Sequence, residues 1–299
     1  MWPVAQSVTV RNCHLVSNRP HLGGRWSGKV VPMRIRLDLA YDGAGFSGWA
    51  KQPGRRTVQG DLEAALEQVL RVSEARVVVA GRTDTGVHAL GQVCHVDVEE
   101  WPDQTQRRLN AVLADDVRIR AAGPAPDGFD ARFSALSRQY VYLISDSGLL
   151  DPRARGGVWV WRRGLDSESM HHAAQRLIGE HDFAAFCKAR PEASSVRTVL
   201  ELGVARRNDP RDPRLIEVAI RADAFCHSMV RSIVGALLAV GEGRLDGDEL
   251  AGILQAAQRV PRFTIAPAHG LALVEVAYPP DQELASQAQR ARRFRGRST

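Results

Sequence analysis

Cysteine is sparse in this chain of 299 residues: Cys13, Cys94, Cys187 and Cys226 stand far apart, with no C-x-x-C pair and no histidine at zinc-ligand spacing. That pattern indicates neither a disulfide framework nor a structural zinc site. Long apolar runs are also missing. The stretch IVGALLAV at 233–240 falls far short of the roughly 20 residues that a membrane-spanning helix needs. The N-terminus lacks the cationic region and hydrophobic core of a secretory signal, so the expected setting is a reducing cytoplasm. Lysine is scarce too, at three of the 40 basic residues. GC-rich coding DNA produces such a bias on its own, so arginine abundance carries little weight.

Acidic residues are absent from both ends. Residues 1–33 hold four basic side chains and residues 290–299 hold five, with no acid in either. The net charge of +6 invites a nucleic-acid reading, yet the residues between hold 31 basic and 34 acidic side chains, a net of −3. The basicity belongs to the ends.

Residues 1–32 show no sustained period and are rich in Gly, Pro, Ser and Asn, which predicts a disordered leader or a start assigned upstream of Met33. From Arg34 the alternation of Ile35, Leu37, Leu39 and Tyr41 against charged residues predicts a half-buried strand. The Gly-rich loop DGAGFSGW follows, and Thr57 is placed to cap a helix with Leu62, Ala65, Leu66, Val69 and Leu70 on one face. Strands near 76–80 and 92–98, a helix near 104–113, and strands near 117–121 and 137–144 complete the first half. The second half has a helix from Asp166 or Ser167 to about 178 and strands near 196–204 and 214–221. Helices near 228–240 and 247–257 precede a last strand at 271–278. This mixing favours an α+β fold with largely antiparallel sheets over a doubly wound one. The expected division is an N-terminal lobe over 33–145, a C-terminal lobe over 146–280, and a basic disordered tail over 281–299.

The nonapeptide GRTDTGVHA (81–89) contains Asp84-Thr85-Gly86, the triplet of pepsin-like proteases. Such a protease needs two aspartates sharing one proton. No second Asp-Thr-Gly is present, and Arg82 and Thr83 stand where that class places apolar residues. A neighbouring guanidinium favours ionised carboxylates and opposes a shared proton. Taken by itself, an Asp in a Gly-flanked turn is most simply a turn cap.

The nonapeptide taken whole resembles G-R-T-D-A-G-V-H-A, the catalytic signature of the tRNA pseudouridine synthase I family. The resemblance extends from about Met33 to Pro279 in the family's order: YDGAGFSGW (41–49), TVQG (57–60), SRQYVYL (137–143), GEHDFAAF (179–186), FCHSMVRSIVG (225–235) and PAHGLALVEVAY (267–278). Two departures stand out, Thr85 for the usual Ala and Ala50 where Gln is common. The resemblance implies the pseudouridine synthase fold, with two lobes, each a mainly antiparallel sheet with helices on one face, and an active-site cleft between them. It also implies a homodimer that isomerises uridine at positions 38, 39 and 40 of the tRNA anticodon stem-loop without cofactor or metal. A related synthase with another RNA site, or a tRNA-binding protein without activity, are the alternatives.

That chemistry breaks the uracil N1–C1′ bond, turns the held base and joins C5 to C1′. It requires an ionised carboxylate at the sugar, to attack C1′ or to take the C2′ proton. By resemblance Asp84 is that carboxylate, Arg231 its ion-pair partner, and Tyr140 the ring against the extruded base. Strand alternation puts Tyr142 on the same face as Tyr140. The resemblance further assigns Arg82 to the gap left by the flipped base and Leu271 or Leu273 to the uracil. Arg55, Arg56, Arg132, Arg138, Arg153 and Arg155 are candidates for phosphate contacts, and the acid-free tail after Arg290 for nonspecific RNA affinity. His88, His95, His181 and His227 match no metal-ligand spacing.

Overall fold

The computed structural model describes residues 32–188, 194–209, 212–259 and 261–295. The expected leader therefore lies outside the described residues, except for Pro32. Alternation builds β1 (Met33–Tyr41): Ile35, Leu37 and Leu39 are fully buried, while Arg34 on the other face pairs with Asp97 at 2.7 Å. Helix α1 (Val58–Leu70) starts at Thr57, whose hydroxyl accepts the Gly60 amide, and buries Leu62, Ala65, Leu66 and Val69. β2 (Val77–Val79), β3 (His88–Val98), α2 (Thr105–Val112), β4 (Val117–Pro124) and β5 (Ser137–Ser145) follow. Next come the short β6 (Trp159–Val160), α3 (Ser167–Gln175) capped by Asp166, β7 (Gly179–Asp182), β8 (Val196–Arg206) and β9 (Leu215–Ala222). The nearly all-apolar α4 (Met229–Gly241) is buried almost throughout, and α5 (Gly247–Ala256) opens with a capping box between Asp246 and Glu249. β10 (Leu271–Ala277) precedes a last helix, α6 (Leu284–Arg295).

The strands form one mixed sheet in the order β4-β1-β3-β10-β5-β9-β8-β7, with β2 added to β3 and β6 to β5. Its pairs are antiparallel apart from β10–β3 and β5–β6. The α+β class is as expected. The division into lobes is looser than expected: β10, late in the chain, slots between β3 and β5, so both halves share one sheet and one hydrophobic core. The central insertion matters for the site, because it brings residues 267–273 beside residues 86–89.

Two expectations change. The segment after Pro280, expected as a disordered tail, forms α6, whose Leu284 and Ala288 are buried and whose Leu284 carbonyl accepts the Ser134 hydroxyl. A period-3.6 pair of small apolar residues in a polar segment was too faint a signal. The scattered cysteines also carried no sign of meeting, yet Cys187 and Cys226 stand side by side with Cα atoms 5.7 Å apart. Among the described residues, no helix is long and apolar enough to cross a membrane.

Candidate active site

Residues 81–89 leave β2 and enter β3, and their shape is set by the loop that follows β1. The Trp49 amide donates to Thr83 O at 3.1 Å and the Gly86 amide to Phe46 O at 3.4 Å. The Tyr41 and Thr83 hydroxyls lie 2.8 Å apart, and Gln92 Nε2 donates to the Tyr41 oxygen. A Cβ at Gly43 would stand 2.0 Å from the Val87 carbonyl oxygen, so the two backbones approach as closely as only glycine permits. His88 closes the other end, with Nδ1 3.1 Å from the Gly43 nitrogen and Nε2 3.1 Å from His269 O. Held on both sides, Asp84 presents a side chain that is 32% exposed.

A second arm, residues 223–228, approaches from the other half of the chain. His227 Nε2 lies 3.6 Å from Asp84 Oδ1, and the Lys188 amide donates to His227 O at 3.0 Å. Ser228 takes a left-handed φ of 65°, a conformation strained for serine. This turn feeds the chain from His227 into α4.

The expected Arg231–Asp84 ion pair is not formed among the described residues; the imidazole of His227 stands beside the carboxylate instead. Arg231 Nε instead donates to Ala266 O at 2.7 Å. The cause is the close packing of residues 264–266 on α4, where a Cβ at Gly235 would lie 1.8 Å from Thr264 O and the Ala266 amide donates to Arg231 O. That approach offers Arg231 a carbonyl before it reaches the carboxylate. Its charge opposes the upward push that burial gives the Tyr142 phenol.

The structure separates the two tyrosines that alternation leaves equivalent. Tyr142 is fully buried, and its hydroxyl donates to Pro267 O at 2.8 Å, so it supports the segment behind Gly86. Tyr140 is 7% exposed, stands edge-on to Phe225 with centroids 5.0 Å apart, and its hydroxyl has no hydrogen-bond partner among the described residues. Burial pushes its phenol up, and the charges of Tyr41 and Asp84 push it further. Leu271 and Leu273 pair with Tyr142 and Tyr140 across β10 and β5; Leu273 is fully buried, and Leu271 is 4% exposed.

The arginines divide as sharply. Arg55, Arg82, Arg132 and Arg155 are exposed and make no ion pair among the described residues. Arg153 pairs with Asp151. Arg56 is held by Asp61 and by both oxygens of Asp116, with its guanidinium 4.2 Å from the Phe46 ring centroid, which makes it a brace for the 43–49 loop. Arg138, expected to meet phosphate, lies inside the protein. It donates to the carbonyls of Asp223, Ala80 and Arg132, each at 2.8 Å, and desolvation pulls its pKa down. It thus ties the start of the Asp84 loop to the start of the His227 arm.

His227 and the structural role of Arg138 were missed in the sequence. The signal for His227 was its place in FCHSMVR, four residues before Arg231; for Arg138 there was none, because its acceptors are backbone atoms of distant segments.

Comparison with known proteins matches the tRNA pseudouridine synthase family profile over residues 39–134 and 173–279. A protein of Frankia casuarinae named tRNA pseudouridine synthase A is 56% identical over 270 residues, covering 88% of this chain and 96% of its own. Proteins of the same name from Cutibacterium acnes and Streptomyces griseus are each 50% identical, covering 87% and 88% of this chain and 94% of their own. A solved H/ACA ribonucleoprotein with a substrate RNA containing 2′-deoxyuridine covers 69% of this chain and 53% of its own. At 12% identity and a TM-score of 0.31, it is too distant to bear on the site. With the nonapeptide, the R-x-Y-x-Y strand and the Arg-bearing helix all lying within the matched segments or between them, the chain belongs to the tRNA pseudouridine synthase family.

Proposed function

We propose that the protein isomerises uridine to pseudouridine at positions 38, 39 and 40 of the tRNA anticodon stem-loop, with Asp84 as the catalytic carboxylate. The observation that carries this reading is the placement of Asp84, rigid in its backbone and open at its side chain, beside Tyr140 and His227. Attack at C1′ or removal of the C2′ proton requires an ionised carboxylate at the sugar.

The target base leaves its stem at a cost of a few kcal/mol, and stacking on an aromatic ring returns about 1 to 3 kcal/mol. Of the two β5 tyrosines, Tyr140 is the one whose phenol feels the Asp84 charge, and Phe225 stands edge-on to it, so the base would meet the two together. The raised phenol of Tyr140 stays protonated at neutral pH, which favours a hydrogen-bond donor over a base at C5. Arg82, exposed two residues before Asp84, suits the gap left by the base. Leu271, at the entry of β10, suits the uracil better than the enclosed Leu273. Arg55, Arg132 and Arg155 suit phosphates. In this reading Arg231 acts through the 266–268 segment behind Gly86, and not through a direct pair with Asp84. The protein works as a homodimer in the cytoplasm.

Incubating tRNA transcripts with the protein and mapping pseudouridine tests the reading. Modification at 38–40, lost when those uridines are replaced by cytidine, is the expected result. Modification confined to other positions would favour a synthase with a different RNA site, and none at all would favour a binding protein.

A further inference from the structure

The family match ends at Pro279, and α6 lies wholly beyond it. The helix is docked, not loose. Leu284 and Ala288 face inward, the Ser134 hydroxyl donates to Leu284 O at 3.1 Å, and Arg292 Nη2 donates to Asp130 Oδ2 at 2.8 Å. Burial pushes the Asp130 carboxyl up, but the Phe133 and Arg132 amides and the Arg292 guanidinium outweigh it and hold it below the ordinary value. The ring of Phe133 is shared by two guanidiniums, Arg132 at 5.2 Å and Arg292 at 5.0 Å from its centroid.

Helical spacing puts Arg290 and Arg293 on the face opposite Leu284 and Ala288. Both are exposed, and neither has an acidic partner among the described residues: Arg290 bonds only the neutral Gln287 and Ser286. No acid occurs in α6 to neutralise them. The dock also connects to the candidate site. The Arg132 and Ala80 carbonyls accept from one and the same nitrogen of Arg138, so the loop that holds α6 lies against the start of the loop bearing Arg82 and Asp84.

We infer that α6 is an RNA-contacting arm whose Arg290 and Arg293, with Arg132 at its base, neutralise phosphates of the substrate beyond the catalytic cleft. This rests on the RNA reading proposed above. An unpaired guanidinium on a rigid helix gives up little entropy on meeting a phosphate, and each such pairing releases counterions.

The test is the salt dependence of binding to a tRNA transcript carrying cytidine at 38–40, which is bound without turnover. For the double variant Arg290→Gln and Arg293→Gln, the plot of log affinity against log salt becomes shallower by about 0.7 to 0.9 for each phosphate that is no longer neutralised. A control pair, Arg76→Gln and Arg244→Gln, removes the same charge from arginines already paired with Glu74 and Glu242 and leaves the slope as it was. A slope in the α6 variant equal to wild type, or an equal change in the control, overturns the inference. Absence of pseudouridine formation by the wild-type protein would instead overturn the function, and the slope comparison stands apart from it.

Discussion

The two arms that meet at Asp84 are built in different ways. Residues 81–89 are fixed largely by backbone contacts: the Trp49 and Gly86 amides, the approach of Gly43 to Val87, and His88 between Gly43 and His269. Residues 223–228 rely far more on side chains: Arg138 on Asp223 O, Cys226 packed beside Cys187, and Phe225 against Tyr140. A backbone-built arm demands glycine where chains touch and is indifferent to exposed side chains. Thr85, exposed in the place of the family's usual Ala, is one such side chain. An arm built from side chains depends instead on single residues, and each can be removed by mutation.

The largest effect should come from the first arm. Gly43→Val drives a side chain into the Val87 carbonyl and displaces the loop, costing about 1 to 3 kcal/mol of stability and, by misplacing Asp84, about a hundredfold in turnover. Thermal melting and single-turnover isomerisation measure the two. A variant that melts and turns over like wild type would show that the loop is not held where the close approach places it.

Arg138→Met strikes both arms together by stranding three carbonyls. Stability should fall by about 3 kcal/mol and turnover by about tenfold or more, with affinity for tRNA nearly unchanged. Loss of affinity with a shallower salt slope would return Arg138 to the phosphate role expected from its sequence. His227→Gln should act on the second arm alone: it keeps a donor beside Asp84 but removes the imidazole, lowering turnover about tenfold and stability by less than about 0.5 kcal/mol. Unchanged turnover would make the 3.6 Å approach of His227 to Asp84 incidental.

What the sequence disclosed follows the same division. The strand of Ile35, Leu37 and Leu39, the Thr57 and Asp166 caps, the apolar stripe of α1 and the buried α4 rest on local periodicity and capping chemistry, and all appear near their expected positions. Close approaches at glycine were legible as motifs, although not as contacts. Side-chain links between distant segments were not legible: Arg231 turns to Ala266, Arg138 lies inside, and Cys187 meets Cys226 across 39 residues. β6 and β7 are too short for a period to register.

The smallest effect should come from behind the first arm. Tyr142→Phe removes the bond to Pro267 O, costing about 1 kcal/mol, with turnover within about twofold and KM unchanged. A raised KM with normal stability would place Tyr142 at the substrate.

Release of tritium to water from tRNA labelled at uracil C5 addresses Asp84 most directly, since joining C5 to C1′ expels that hydrogen. The wild-type protein should release it. Asp84→Asn, which keeps the size of the side chain and removes its charge, should release none while binding tRNA within about tenfold, because phosphates dominate that affinity. Comparable release by the Asn variant would contradict the assignment of Asp84 as the catalytic carboxylate.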